Sequence, residues 1–154
     1  MKLLKKQQNN YTSTKVIDLG SVAFRQPRAN SHCRHVHGYK LYAKLWFGCN
    51  ELDENNWVVD FGGLKQLKRK LQDKYDHSLC IDLNDPLLSH FKKLNENDGC
   101  RLVVMKKGTG IERITEDVFK ISNDFIMAET INRCSVVKVE VWENVTNSAI
   151  YKED

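Results

Sequence analysis

The stretch RHVHGYKLYAKLWF, residues 34–47, alternates in side-chain character along its whole length. Val36, Lys40, Tyr42, Lys44 and Trp46 fall on one parity; His35, His37, Tyr39, Leu41, Ala43, Leu45 and Phe47 fall on the other. Successive side chains of a strand point to opposite faces. The pattern therefore predicts one long strand whose second face is mostly apolar and turned to a core.

The rest of the chain is read against that strand. Residues 14–25 carry β-branched and aromatic side chains and predict a second strand, with turn-like residues 48–56 and a short apolar run at 57–61 further on. Asp60 is placed to cap a helix over 62–75, with Leu64, Leu67 and Leu71 on one face. Asp85-Pro86 predicts a short helix ending near Leu94, and residues 101–105 a short strand. Ile111, Ile114, Val118, Ile121 and Phe125 have helical spacing and predict a helix over 112–130. Residues 135–142 alternate as a strand, and 148–151 form a last one. Early strands, central helices and late strands predict an α+β fold on an antiparallel sheet, not a doubly wound parallel one.

A chain of 154 residues fits a single domain. The reading is a basic leader over residues 1–13 and one domain over 14–154. The leader lacks the apolar core and small-residue cleavage site of a signal peptide, and no apolar run is long enough for a membrane span. Five cysteines are scattered, odd in number and without a CxxC pair, which predicts a reducing, cytoplasmic setting. The net charge of +4 fits a solvated helix face or an anionic ligand such as a phosphorylated metabolite. The basic residues are not interleaved with stacking aromatics along the chain, which argues against a nucleic-acid partner.

Chemistry-bearing residues cluster in SHCRHVHG. His35 and His37 project from one face of the predicted strand, and His32 precedes them in a loop, so the three are candidate zinc ligands or polar residues at a strand start. Cys33 is either a small apolar side chain or a thiol activated by nearby positive charge. In YDHSLC, Asp76 can orient the imidazole of His77. Glu143 ends an apolar strand, where a carboxylate can accept two N–H donors from a guanidine-like heterocyclic edge. GTGIER fits neither a Walker loop nor a dinucleotide fingerprint.

Taken together, CRHVHG, ELDENNWVVDFGGLK, YDHSL and VEVWENVTNSAIY, in this order, resemble the 6-pyruvoyl-tetrahydropterin synthase / 6-carboxytetrahydropterin synthase family over residues 16–151. The resemblance implies the tunnelling fold, a four-stranded antiparallel sheet with two helices on one face in the order β-β-α-α-β-β, here with an inserted short helix and strand. It also implies trimers stacked into a homohexamer, with active sites between subunits. The implied substrate is 7,8-dihydroneopterin triphosphate and the implied product a 6-carboxy pterin, as in queuosine-type deazaguanine pathways. The pyruvoyl product, and a binding module that has lost chemistry together with zinc, are the alternatives.

Carried over by position, the resemblance makes Cys33 the proton-transferring thiol, Asp76 and His77 its partner dyad, Glu143 the ring anchor and Glu112 a supporting carboxylate. His37 matches one zinc ligand. The sequence departs at the other two: Tyr39 and Arg25 stand where the family has histidines. Either His32 and His35 replace them, or the site binds metal poorly, or it has lost metal. Arg25, Arg28 and Lys40 are the basic residues expected to meet the triphosphate.

Overall fold

The alternating stretch lies at the centre of the molecule. The computed structural model describes residues 9–153. In it, β2 (His37–Cys49) pairs antiparallel with β1 (Tyr11–Phe24) on one side and with β5 (Cys134–Trp142) on the other. β6 (Ser148–Tyr151) pairs antiparallel with β5. The four expected strands are thus present and antiparallel. Of the basic leader expected over 1–13, residues 1–8 lie outside the described residues, whereas Tyr11–Ser13 already belong to β1, with Tyr11 opposite Cys49.

The sheet is larger than expected. β3 (Ser78–Asp82) pairs parallel with the end of β1, and β4 (Leu102–Met105) pairs parallel with β3, giving six strands in the order β4-β3-β1-β2-β5-β6. The expected insertion is a crossover unit: β3, then α2 (Leu88–Glu96), then β4. β3 shows no alternation because four of its five residues are buried. α2 begins at Leu88 rather than at Asp85-Pro86. The Asp85 Oδ1 accepts the Leu87 N–H at 2.8 Å and makes a turn ahead of the helix.

Two longer helices cover one face of the sheet. Residues 62–64 form a 3-10 turn, opened by the Gly62 N–H donating to Asp60 Oδ1 at 2.9 Å, and α1 (Lys65–Tyr75) follows. Leu67, Leu71 and Tyr75 are buried on its inner side. Each such leucine contributes roughly 1.5–3 kcal/mol when removed from water. α3 (Ile111–Glu129) buries Ile111, Ile114, Val118, Phe119 and Ile126. Both helices pack with Ile17, Leu41, Leu45 and Val139 in one apolar core.

The other face of the sheet is solvent-exposed at Val16, Tyr42 and Ile150. Pairing of Trp46 with Lys138 across β2 and β5 sets lysines among aromatics there. Lys138 Nζ lies 4.0 Å and Lys44 Nζ 4.8 Å from the Trp46 ring centre, and Lys40 Nζ lies 5.6 Å from that of Tyr42. The interleaving already runs along one parity of β2, at Lys40, Tyr42, Lys44 and Trp46, which corrects the expectation that basic and aromatic residues are not interleaved. Among the described residues no helix is long and apolar enough to cross a membrane.

Candidate functional site

One end of the helix-covered sheet face gathers several of the expected residues. His37 opens β2 opposite Phe24, and Tyr39 lies opposite Val22. The His37 ring centre is 4.9 Å from that of Phe24 and 5.7 Å from that of Tyr39, edge to face in both cases. The His37 Nδ1 lies 2.7 Å from the His35 carbonyl oxygen, which can only accept, so Nδ1–H donates to it. Continuing the β2–β5 register by one residue past Tyr42 and Trp142 brings Glu143 opposite Leu41, on the face that holds Tyr39 and His37. Its N–H donates to the Asn147 carbonyl at 3.1 Å, which closes the β5–β6 turn.

Glu143 is half-buried, and Glu112 of the first turn of α3 lies close enough to act on it. Burial first, and then the Glu112 charge, hold the Glu143 carboxyl above its ordinary value, while His37 pulls the other way. Tyr39 is pushed up by burial and by the charges of Glu143 and Cys33. Cys33 sits half-buried in a 3-10 turn, His32–Arg34, where its N–H donates to Ser31 Oγ at 3.3 Å and its carbonyl accepts the Gln26 N–H at 3.0 Å. The structure therefore brings Cys33, His37, Glu143 and Glu112 to one region.

A buried ion pair holds this turn. Arg25 Nε donates to Asp85 Oδ2 at 2.6 Å and Nη2 to Oδ1 at 3.1 Å, while Nη1 donates to the Arg34 carbonyl at 3.1 Å. The Asp85 side chain has no exposure and that of Arg25 only 14%. Arg25 is thus engaged structurally rather than presented to a ligand. Lys40, another cation expected to meet phosphate, pairs with Asp18 at 3.1 Å. Sequence reasoning missed Asp85, because its partner lies 60 positions away.

Asp76 and His77 form a dyad elsewhere. The His77 Nδ1 and Asp76 Oδ1 are 2.9 Å apart, and Asp76 Oδ1 also accepts the Ser21 N–H at 2.9 Å. The Ser21 N–H, and after it His77, hold the Asp76 carboxyl below its ordinary range against the opposing effect of burial. His77 takes a left-handed backbone (φ 58°) and its side chain is 82% exposed. Arg101 fixes this corner by donating to the carbonyls of Asp73 (2.8 Å), Lys74 (3.0 Å) and Asp76 (2.5 Å) at the end of α1. The dyad faces Ser21, whereas Cys33 is bonded to Gln26. Five positions separate Ser21 from Gln26, a span of at most roughly 16 Å at about 3.3 Å per residue, and β1 ends between them at Phe24. Among the described residues no hydrogen bond joins the dyad to the thiol.

The expected metal ligands do not converge either. His32 and His35 are exposed, and His37 is half-buried with Nδ1 already bonded. Among the described residues no group of three or more His, Cys, Asp or Glu side chains is arranged to hold a metal ion. Tyr39 offers a protonated phenol, and Arg25 a guanidinium committed to Asp85. This donor set does not fit a three-ligand zinc centre within one chain.

Residues 19–154 match the model of the family described as 6-pyruvoyl tetrahydropterin synthase. The chain is 29% identical over 136 residues to the 6-carboxy-5,6,7,8-tetrahydropterin synthase of Aquifex aeolicus, covering 85% of this chain and 82% of that protein. It is 28% identical over 83 residues to the protein of the same name from Rickettsia bellii, covering 53% of this chain and 59% of that protein. Among solved structures, an uncharacterized protein from Wolinella succinogenes is similar with a TM-score of 0.78 and 21% identity, over 94% of this chain and 98% of that one. The 6-pyruvoyl tetrahydropterin synthase of Plasmodium falciparum is similar with a TM-score of 0.66 and 15% identity, over 94% and 99%. At these identities the structural likenesses show the fold, which is the tunnelling fold expected from the sequence.

Proposed function

Because the chain belongs to the 6-pyruvoyl tetrahydropterin synthase family, we propose that it is a cytoplasmic lyase. It converts 7,8-dihydroneopterin triphosphate to 6-carboxy-5,6,7,8-tetrahydropterin, a product for deazaguanine (queuosine-type) synthesis. The observation that carries this reading is the gathering of Cys33, His37, Glu143 and Glu112 at one sheet end. The chain that builds this end is 29% identical over 136 residues to a protein of that name.

Glu143 receives the ring. A half-buried carboxylate at a strand end can accept two parallel N–H bonds from the amino-pyrimidine edge, and such charge-assisted pairs fix both position and orientation. Glu112 beside it supports a shared proton, since two close carboxyl groups resist ionising together. Cys33 takes a proton from the substrate side chain, the role expected from the resemblance. His77, oriented by Asp76, relays protons. With the dyad bonded at Ser21 and the thiol turn at Gln26, the dyad at a working site belongs to a neighbouring copy, in a homo-oligomer such as the hexamer expected from the resemblance. Zinc is the family cofactor expected there, with His37 its candidate ligand. The donors of a single chain do not assemble a centre around it, so no step is assigned to a metal. The five unpaired cysteines support a reducing compartment.

The description of the family model favours a second reading, elimination of triphosphate to the 6-pyruvoyl product. Incubation of the purified protein with dihydroneopterin triphosphate and Mg²⁺ separates the two. Acetaldehyde together with a carboxylated pterin supports the first, and triphosphate release without acetaldehyde supports the second. Tight pterin binding with neither product, unchanged by Cys33→Ala, would leave a binding module and overturn both.

A further inference from the structure

With Arg25 withdrawn into its pair with Asp85 and Lys40 held by Asp18, the basic groups beside the site are others. The segment that leaves β1 is tied to the Cys33 turn by the Gln26 N–H and to the loop before α3 by Thr109 Oγ1, which donates to the Arg25 carbonyl at 2.5 Å. Gly110 has φ 118°, a backbone conformation that favours glycine, and a Cβ there would stand 2.6 Å from the end of the Gln26 side chain. Between them lies a cavity of about 200 Å³, lined by Arg28, Asp82, Lys107, Gly108, Thr109 and Arg113, with Gln26 at its edge. It adjoins the candidate site: Arg113 follows Glu112 in the first turn of α3, and Gln26 contacts Cys33.

We infer that this cavity is an oligophosphate subsite in which Arg28, Lys107 and Arg113 receive the phosphate chain of the substrate; the inference rests on the functional reading above. Three cations face one carboxylate, Asp82. Two of the three are also short of counter-charge. Lys107 (2.9 Å) and Arg113 (2.8 Å) share the carboxylate of Glu116 with Lys120 (3.1 Å). One negative charge among three positive ones leaves two uncompensated, and the strength of that surplus shows in the Glu116 carboxyl, held down to about 2. Arg28 makes no ion pair among the described residues and is exposed. Arginine forks match phosphate oxygens bidentately, and Lys107 adds a point charge. The start of α3, just beyond Gly110, adds the positive end of a helix dipole. Glu112, beside the ring anchor Glu143, and Arg113, in the cavity, are successive positions in the first turn of α3.

The test uses inorganic tripolyphosphate as the probe, by calorimetry, on wild type, Arg28→Gln, and Lys107→Gln with Arg113→Gln. A Lys65→Gln with Lys68→Gln variant on exposed α1 serves as the control for general charge. The expected result is binding that weakens about tenfold or more in the cavity variants, as for loss of a charge-assisted contact. The control should change by less than about threefold, the range of general charge screening. The KM for dihydroneopterin triphosphate should rise in parallel with the loss of tripolyphosphate affinity. Circular dichroism establishes that the variants fold; if the double variant does not, Arg28→Gln alone decides. Unchanged affinity and KM in folded cavity variants would overturn the subsite while leaving the proposed activity standing, and so would an equal loss in the α1 control. Cavity-dependent tripolyphosphate binding without turnover of any pterin would keep the subsite and remove the proposed activity.

Discussion

Asp76 occupies the space that a side chain at Gly20 would need. Gly20 lies at a bulge in β1, with φ 89°, and a Cβ there would overlap the Asp76 carboxylate. The missing side chain lets Asp76 reach the Ser21 N–H and hold His77. Gly20→Ala is therefore expected to do two things. The left-handed backbone alone costs about 1–2 kcal/mol. Displacement of Asp76 then releases His77, so turnover falls further than stability. Urea denaturation alongside initial rates checks this; a variant with normal rates would show that the dyad does not need its present geometry.

Asp85 and Arg25 predict a large, partner-dependent stability effect. Asp85→Ala strands a guanidinium that is only 14% exposed, and removal of one member of a buried pair costs about 3–5 kcal/mol. Replacing both, as Arg25→Met with Asp85→Leu, should recover part of the loss. Equilibrium denaturation of the three proteins measures the difference. A single variant as stable as wild type would mean that Arg25 finds water instead.

Thiol reactivity should separate the cysteines. Burial pushes the thiols of Cys80 and Cys134 up to about 11 and also raises that of Cys100. Cys49 faces Cys134 across β2 and β5, and both are buried. Brief iodoacetamide treatment of the native protein, followed by peptide mass spectrometry, should mark Cys33 first. Cys49, Cys80 and Cys134 should react only after denaturation. Early labelling of Cys134 would contradict the packing described for the sheet.

Glu143 predicts a pH signature. Its carboxyl is raised in the folded state, so the fold binds that proton more tightly than the unfolded chain does. The resulting stability is present at low pH and is lost as pH rises through the shifted value, above the ordinary 4.5. Glu143→Gln removes the penalty of an ionised, half-buried carboxylate. It should therefore gain stability over wild type at pH 7 relative to pH 4, while losing pterin affinity. Denaturation curves at the two pH values, with a pterin titration, test both halves. No change with pH would indicate that Glu143 is solvated in the assembled protein.

Metal content follows from the donor set. With Tyr39 and Arg25 at two of the three ligand positions expected from the resemblance, zinc should be substoichiometric in purified protein and be lost on dialysis against EDTA. Elemental analysis before and after dialysis reads this directly. A full equivalent retained through the chelator would show that His32 and His35 swing to His37, or that a neighbouring copy supplies the missing donors.

Periodicity made β1, β2, β5, β6, α1 and α3 legible in the sequence, since each has one buried and one wet face. β3 was not legible: Ser78–Asp82 is enclosed between β1 and β4, so burial erases the alternation that would reveal it. Cys33, Glu143 and Glu112 could be singled out by residue type and family pattern, and the structure places them in one region. What fixes them could not be read, because it acts across long separations. Arg25 meets Asp85, Arg101 meets the end of α1, and Gly20 yields to Asp76 only once the strands have paired. The pairings of Arg25 with Asp85 and of Lys40 with Asp18 were hidden for the same reason. Charge counts locate cations but not the carboxylates already bound to them.

The parallel joint between β1 and β3 has a consequence for how the protein comes into being. It links Val22 to Ser78, 56 positions apart, whereas β1 and β2 meet through a short connection. Distant pairings form late because the intervening loop must close first. The β2–β5 joint, which sets Tyr42 against Trp142, spans more chain still. A newly made chain would thus acquire its imidazole corner before its ring-anchoring end, and a species halted between the two would display the dyad while holding no pterin.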